Sequence, residues 1–517
     1  MMMKFKYYMV LCLAMLIVGF SSCDDSILEV EPTDKLTADN VFATTTSIEA
    51  LRVGMYNQLG GKGSPNFYQM IIPLMGDMRG DDMVYGQRWY GSWGDMYSYN
   101  MSTESTGNLR MWENCYYITE VCNTLVSGEE QMTAVIGAEL AANYVAEAKA
   151  VRGMVYYDVA RFFGKAYHMD NGASKAIPYV DYIDYDAQPA RDDMKTIYSK
   201  AIADLTEALP LLADIGSDTD RAYMSKYAAN AVLSRIYLDM HDYAKAKDYA
   251  EAAINSAQLG LLSTEDYKLG LSNFSNEIIL GFVLHAENYY KWRSFNTFFD
   301  NYDGMGDDFL ANHTFFDLFG SDDIRQGFFT PEFEWMKING EWYKYYYHLY
   351  YNGNETVDGV VMDRDFANGL AMQSKGYYTY GKFPRSDVGY GSSRGTLGLG
   401  IAPQIRVAEI ELTIAECAAR LNDNALAQDK LHNVKLRSIP TSVKSTNTGQ
   451  TLIDEILLER RKELFGEGHR LRDILRLGLD LVRDGSHPLH KTITAGDESF
   501  RFPVPQRELN VNPNLKN

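Results

Sequence analysis

Residues 224–256 read MSKYAANAVLSRIYLDMHDYAKAKDYAEAAINS, and this stretch decides the fold. Apolar residues recur every three to four positions on both sides of His241-Asp242, the period of helices that bury one face. The pattern predicts two helices of about sixteen residues joined by a tight turn. Ala229, Ala244 and Ala250 are small where such helices must approach closely. Residues 406–437, RVAEIELTIAECAARLNDNALAQDKLHNVKLR, repeat the plan.

Spacing of this kind is that of a tetratricopeptide hairpin. The rest of the chain alternates between helical and irregular stretches. A first helix is expected near Thr46 to Leu59. Residues 60–108 are rich in Gly, Asp, Tyr and Trp without helical period and read as loops. From Met111 the helical period takes over. Tyr144, Ala148, Val151, Val155, Val159 and Phe162 make one apolar stripe, with Gly164 as an expected C′ residue. Another helix runs from about Asp193 to Leu209, stopped by Pro210. Between about 262 and 402 the period dissolves again into loops and short elements, among which EIILGFVLH reads as strand. The fold class expected is mostly α: a tetratricopeptide-like hairpin scaffold with long aromatic-rich loops and a few short strands.

The N-terminus carries an address. Lys4 and Lys6 precede the apolar run Tyr7 to Phe20, and Ser21 and Ser22 lead to Cys23. That order is a secretory signal, too short at fourteen residues for a membrane span of about 20. FSSC resembles the lipobox of a bacterial lipoprotein, with Phe20 where leucine is usual, which makes Cys23 the lipid-bearing residue. The division expected is signal peptide 1–22, lipidated N-terminus and tether 23–45, and one domain 46–517. That domain divides into a hairpin part to about 260 and a loop-rich part from about 261. The formal charge is −20, so phosphate backbones and anionic lipid heads are repelled, and nucleic acid is not expected as a partner. Membrane attachment is then left to the acyl chains. Cys115 and Cys122 lie seven apart in one expected helix, roughly 10 Å along its axis, beyond disulfide reach. Cys115, Cys122 and Cys417 are expected as free buried thiols.

Six blocks in order resemble the SusD/RagB family of outer-membrane nutrient-binding lipoproteins found in Bacteroidetes SusCD-like uptake systems. They are Ala146 to Gly164 (with Glu147, Arg152, Tyr157 and Arg161), Tyr198 to Leu212, the hairpin from Ser225, and Arg406 to Arg420. Glu459 to Gly478 follows, with Arg460, Glu463, Glu467, Arg470, Asp473 and Arg476. The closing block is Val504 to Asn517, with Lys516 where glutamine is commoner. The resemblance implies a non-catalytic binder of oligosaccharides, lipid-anchored to the cell outer membrane and facing the exterior. It also implies a partner, a SusC-like TonB-dependent transporter. Asp24 and Asp25 resemble the surface-export pattern of these lipoproteins.

Sugars offer flat C–H faces and hydroxyl edges, so a glycan site needs aromatic platforms flanked by polar side chains. Residues 78–100, MRGDDMVYGQRWYGSWGDMYSYN, are the densest such constellation. Arg79, Asp81, Asp82, Tyr85, Arg88, Trp89, Tyr90 and Trp93 are the candidates there, and the family implies binding residues in this region. Residues 285–304 add Asn288, Tyr290 and Trp292. Ile338-Asn339-Gly340-Glu341 reads as a hairpin turn with Trp335 and Trp342 in its strands. Trp112 is expected in the core. Arg460, Glu463, Glu467, Arg470 and Asp473 read as an ion-pair network in preference to a catalytic cluster. Asp300, Asp303, Asp307 and Asp308 fail the EF-hand spacing, so no metal is expected. No motif calls for a cofactor. Two alternatives to the glycan reading stand: a RagB-type peptide binder serving a peptide importer, and a surface glycoside hydrolase.

Overall fold

The computed structural model describes residues 40–60, 67–85, 93–284, 309–331, 333–338, 341–346, 355–357, 360–362, 378–383, 400–483 and 491–516. The signal, Cys23 and the tether as far as Asp39 lie outside the described residues, as do Asp300, Asp303, Asp307 and Asp308. The principal helices are α1 Thr45–Gly60, α2 Ile72–Met78, α3 Thr106–Ser127, α4 Ala138–Phe163, α5 Met194–Ala208 and α6 Lys226–Asp239. They continue with α7 Tyr243–Ala253, α8 Val407–Arg420, α9 Asn424–Ser438, α10 Gly449–Glu463 and α11 Arg470–Arg476. The strands are β1 Met83–Tyr85, β2 Ile278–Leu284, β3 Phe309–Ala311, β4 Phe329–Pro331, β5 Phe333–Ile338 and β6 Glu341–Tyr346. After them come β7 Glu355–Val357, β8 Val360–Met362, β9 Tyr378–Tyr380, β10 Gly400–Arg406, β11 Leu481–Arg483 and β12 Lys491–Ile493. They form antiparallel sheets ordered β1-β3-β9-β4 and β5-β6-β8-β7, with the pairs β2-β10 and β11-β12. The mostly helical fold class is the one the sequence predicts.

Both predicted hairpins form, and both turn by the same device. His241 (φ 61°) and Asn422 (φ 65°) take the left-handed conformation after their helices. The next residue's N–H reaches back to Tyr237 O (2.9 Å) in one hairpin and to Ala418 O (2.8 Å) in the other, a Schellman closure. That next residue, Asp242 or Asp423, then caps the following helix by accepting from Lys245 N or Leu426 N, each at 3.2 Å. Ala229 and Ala250 are buried as expected. Ala244 is instead exposed, and Ala246, two residues on, takes the close-approach position.

The α4 stripe is buried at all six positions. Gly164 departs from the expected left-handed C′, with φ −103°. Its need for glycine is packing, since a Cβ there would press into Met194 and meet Ala176 Cβ at 3.2 Å. The helix after Asp193 forms, capped by that carboxylate on Thr196 N (2.8 Å), and passes into a 3-10 turn at Leu209–Leu211. Cys115, Cys122 and Cys417 are free and buried, and Trp112 is in the core. β5 pairs antiparallel with β6, with Ile338 opposite Glu341; Asn339 and Gly340 of the expected turn lie outside the described residues.

The largest departure is 60–108, which is more than loops. Phe67–Ile71 forms a π-helical turn that runs into α2, and β1, the short helix Gly94–Tyr97 and the start of α3 follow. Phe67, Tyr68, Met70, Ile71, Leu74, Met75 and Met78 are all buried. A helix covered on every side shows no amphipathic period, so the sequence pattern was silent there.

The ion-pair network is interior. Among the described residues, Arg325, Lys382, Arg406, Arg437 and Lys462 interlock with Glu277, Asp323, Glu459, Glu463 and Glu467, five cations against five anions. It joins α10 to β10, α9 and the 320s. A second set, Arg460-Asp473-Arg476-Glu416, ties α10 and α11 to α8.

Candidate functional site

One strand pair joins the residues that border two aromatic segments far apart in sequence. β1 and β3 run antiparallel with Met83 opposite Ala311, Val84 opposite Leu310 and Tyr85 opposite Phe309. Segment 86–92 therefore leaves the sheet at the position where segment 285–308 enters it. The Tyr85 ring packs on Phe309 and Tyr97, centroids 5.5 and 5.9 Å apart, so this doorway is a rigid aromatic seam. Segment 285–308 starts from Leu284, which pairs with Gly400 at the head of β10. Arg88, Trp89, Tyr90, Asn288, Tyr290 and Trp292 belong to these segments and lie outside the described residues.

The other candidates are placed, and they build the bracket. Arg79 is fully buried. Its Nη2 donates to Ser499 O (3.1 Å) and Phe500 O (3.0 Å), and its guanidinium lies over the Tyr99 and Phe502 rings. Burial lowers its pKa to about 10. Asp81 accepts a forked pair from Arg470, Nε at 2.6 Å and Nη2 at 2.8 Å. Asp82 is buried and takes Arg461 Nε at 2.9 Å, while its carbonyl accepts from Asn312 N. Tyr85 and Trp93 are in the core, 3% and 9% exposed. Arg79, Asp82, Tyr85 and Trp93, expected to face a ligand, are instead buried: Tyr85 and Trp93 bury ring area, Asp82 is paired with Arg461, and Arg79 donates to backbone carbonyls. Phe500, which accepts from Arg79, and Arg461, which pairs with Asp82, lie some 380 to 420 residues away, and no local pattern announces them.

Asp77 anchors the same bracket from α2. Its carboxylate accepts from Gly468 N (2.9 Å) and Arg470 N (3.0 Å). Burial outweighs these bonds and pushes its pKa up to about 7. The unfolded chain releases that proton at about 3.9, so the native state holds it over the interval between. Stability from this group is therefore expected to fall as pH rises from about 4 to about 7 and to level off above. Thermal midpoints of wild type and Asp77→Asn, compared at pH 4.5, 6 and 8, should diverge across that window. A constant difference would refute the assignment.

One enzyme-like string is present. Gly391-Ser392-Ser393-Arg394-Gly395 matches the G-x-S-x-G pattern of a nucleophile elbow and lies outside the described residues.

A mostly helical scaffold of tetratricopeptide-like hairpins with short antiparallel sheets defines a class of protein, and comparison with known proteins gives the class its name. Residues 333–517 match the family model described as the SusD family. Residues 27–238 match one described as starch-binding associating with outer membrane. The chain belongs to the SusD/RagB family. SusD-like protein P25 of Formosa agariphila is 23% identical over 97% of this chain and 96% of its own length. A SusD superfamily protein of Bacteroides thetaiotaomicron superimposes with TM-score 0.74 at 23% identity, covering 93% of this chain and 99% of that one. A SusD-like carbohydrate binding protein of Bacteroides vulgatus gives 0.73 at 21%, covering 91% and 97%. Among the described residues no helix is long and apolar enough to cross a membrane.

Proposed function

We propose that this protein is a cell-surface lipoprotein that binds oligosaccharides and delivers them to a SusC-like TonB-dependent transporter. Cys23 carries the lipid anchor, and the chain faces the cell exterior. The observation that carries the site is the Tyr85–Phe309 register. It sets the first residue before segment 86–92 opposite the first residue after segment 285–308, the two segments richest in aromatic and hydroxyl-reading side chains. Trp89, Tyr90, Tyr290 and Trp292 serve as stacking platforms, and Arg88 and Asn288 read hydroxyls. The net charge of −20 favours neutral glycans over sulfated or uronate-rich ones. Family membership and the carbohydrate-binding structural relative support this reading. No catalytic step is assigned to any residue.

Calorimetric titration of residues 24–517 against an oligosaccharide panel and a mixed-peptide digest tests it. Trp89→Ala and Trp292→Ala are each expected to weaken sugar binding about tenfold or more, about 1.4 kcal/mol. Heat with peptides alone would move the protein to the peptide-binding branch. Sugar binding untouched by both substitutions would place the site elsewhere.

A further inference from the structure

A second surface, built on α3 and the stretch after Val180, shows the features of a ligand platform. The outward face of α3 carries Glu113, Tyr117 and Glu120. Beside it runs the acidic-aromatic stretch Asp181-Tyr182-Ile183-Asp184-Tyr185-Asp186, in which all six residues are exposed. Tyr185 is 82% exposed, yet its hydroxyl is fixed, donating to Glu120 Oε1 at 3.0 Å. Tyr117 and Tyr182 flank it at 54% and 44%.

The stretch is not loosely attached. Asn123 Nδ2 donates to Val180 O (3.0 Å) and Tyr182 O (3.1 Å), and Tyr156 hydroxyl donates to Val180 O (2.9 Å). At its far end Gln188 O and Pro189 O accept from Asn514 and Asn512 of the C-terminal segment. A backbone tied at both ends presents apolar rings to water, where burying them would stabilise the fold.

The chemistry and the area together select the occupant. Exposed rings, one of them bonded to Glu120, in a stretch that also carries Asp184, Asp186 and Gln188 suit a ligand with C–H faces and hydroxyl edges. Those carboxylates repel anionic chains and lipid headgroups. The three tyrosines expose about 400 Å², roughly half of the 800 Å² per partner that a stable protein interface takes. We infer that Tyr185, Tyr182 and Tyr117 form a second contact surface for a neutral polysaccharide, engaging a long chain whose end is held at the doorway. This rests on the glycan-binding reading above. Its consequence is avidity: long chains gain affinity that short ones cannot.

Native gels cast with starch, galactomannan or arabinoxylan test it, each paired with calorimetry on that polymer's trisaccharide. In the gel that retards the wild type most, Tyr185→Ala with Tyr182→Ala is expected to weaken retention about tenfold. Trisaccharide affinity and melting temperature should stay unchanged. The Trp89→Ala, Trp292→Ala double variant should keep residual polymer retention that adding Tyr185→Ala abolishes. Unchanged polymer retention in the tyrosine variants overturns the inference. So does an equal loss for trisaccharide, which would merge the two surfaces into one site. So does unchanged polymer retention with weaker capture by the transporter in detergent extracts, which would assign the surface to a basic protein partner. A wild type retained by no gel and silent in calorimetry would instead sink the glycan reading beneath it.

Discussion

Glu463→Gln is expected to remove most of the protein's resistance to urea. Glu463 is fully buried, and its carboxylate meets Arg325 Nη1 (3.0 Å), Arg406 Nη2 (3.1 Å), Arg437 Nη2 and the Tyr267 hydroxyl (3.1 Å). Burial works against its charge, yet Arg437, Arg406, Lys382 and Arg325 hold its pKa well below the usual carboxylate range. The surrounding cluster is balanced, so a neutral amide leaves one positive charge uncompensated in a dry interior. Breaking one buried pair by removing a partner costs about 3–5 kcal/mol. Three guanidiniums each lose one of their carboxylate partners here, so a cost of about 5 kcal/mol is expected, against a total of about 5–15 kcal/mol for a folded protein. Glu207→Gln, which breaks the exposed Lys149 pair, should cost at most about 1 kcal/mol. Adding Arg437→Met to Glu463→Gln restores the balance and should recover part of the loss. A urea midpoint in Glu463→Gln within experimental error of wild type would show that the cluster is not stabilising. Failure of Arg437→Met to recover anything would show that charge balance is not the reason.

The helical hairpins were legible because their signals are local. Period, Asp caps and small residues all sit within one or two turns of the positions they govern, and β2 and the β5–β6 pairing were readable for the same reason. Residues 67–78 were not, because a helix buried on all sides has no polar face to mark its period. Site reading failed by a related route. Composition around Met78 to Asn100 could not separate two roles, because Arg79 and Asp82 look the same in sequence whether they face a sugar or a distant partner. What turns them inward is Arg461, Phe500 and Phe502, and those pairings exist only after the C-terminal blocks return to the N-terminal ones. Charges in the Glu459 to Gly478 block were readable as a network because their number and alternation exceeded what a solvated helix end needs. That Asp77, Asp81 and Asp82 complete it from the other end of the chain was not.

Gly76→Ala and Gly468→Ala are expected to damage binding without touching ligand. α2 crosses the 466–470 turn so closely that a Cβ on Gly76 would enter the Gly468 carbonyl. Gly468 itself has φ +83°, and a Cβ there would stand 2.7 Å from Pro73 Cα. Both obstacles are backbone, which cannot swing aside as a long side chain does. Overpacking costs about 1–3 kcal/mol and a left-handed non-glycine about 1–2 kcal/mol more, so Gly468→Ala is expected to lose about 2–5 kcal/mol. α2 leads directly into β1, and Asp77 ties α2 to Gly468 N and Arg470 N. Pushing the two backbones apart therefore shifts Tyr85 against Phe309, the register that borders both aromatic segments. Gly76→Ala should lower the unfolding midpoint and weaken oligosaccharide binding together. Gly54→Ala, in the middle of α1 with nothing within 4 Å of its Cβ, should leave binding alone and add about 0.5–1 kcal/mol of stability. A Gly76→Ala protein that melts lower yet binds sugar with wild-type affinity would separate the bracket from the site and disprove the role given to the Tyr85–Phe309 doorway.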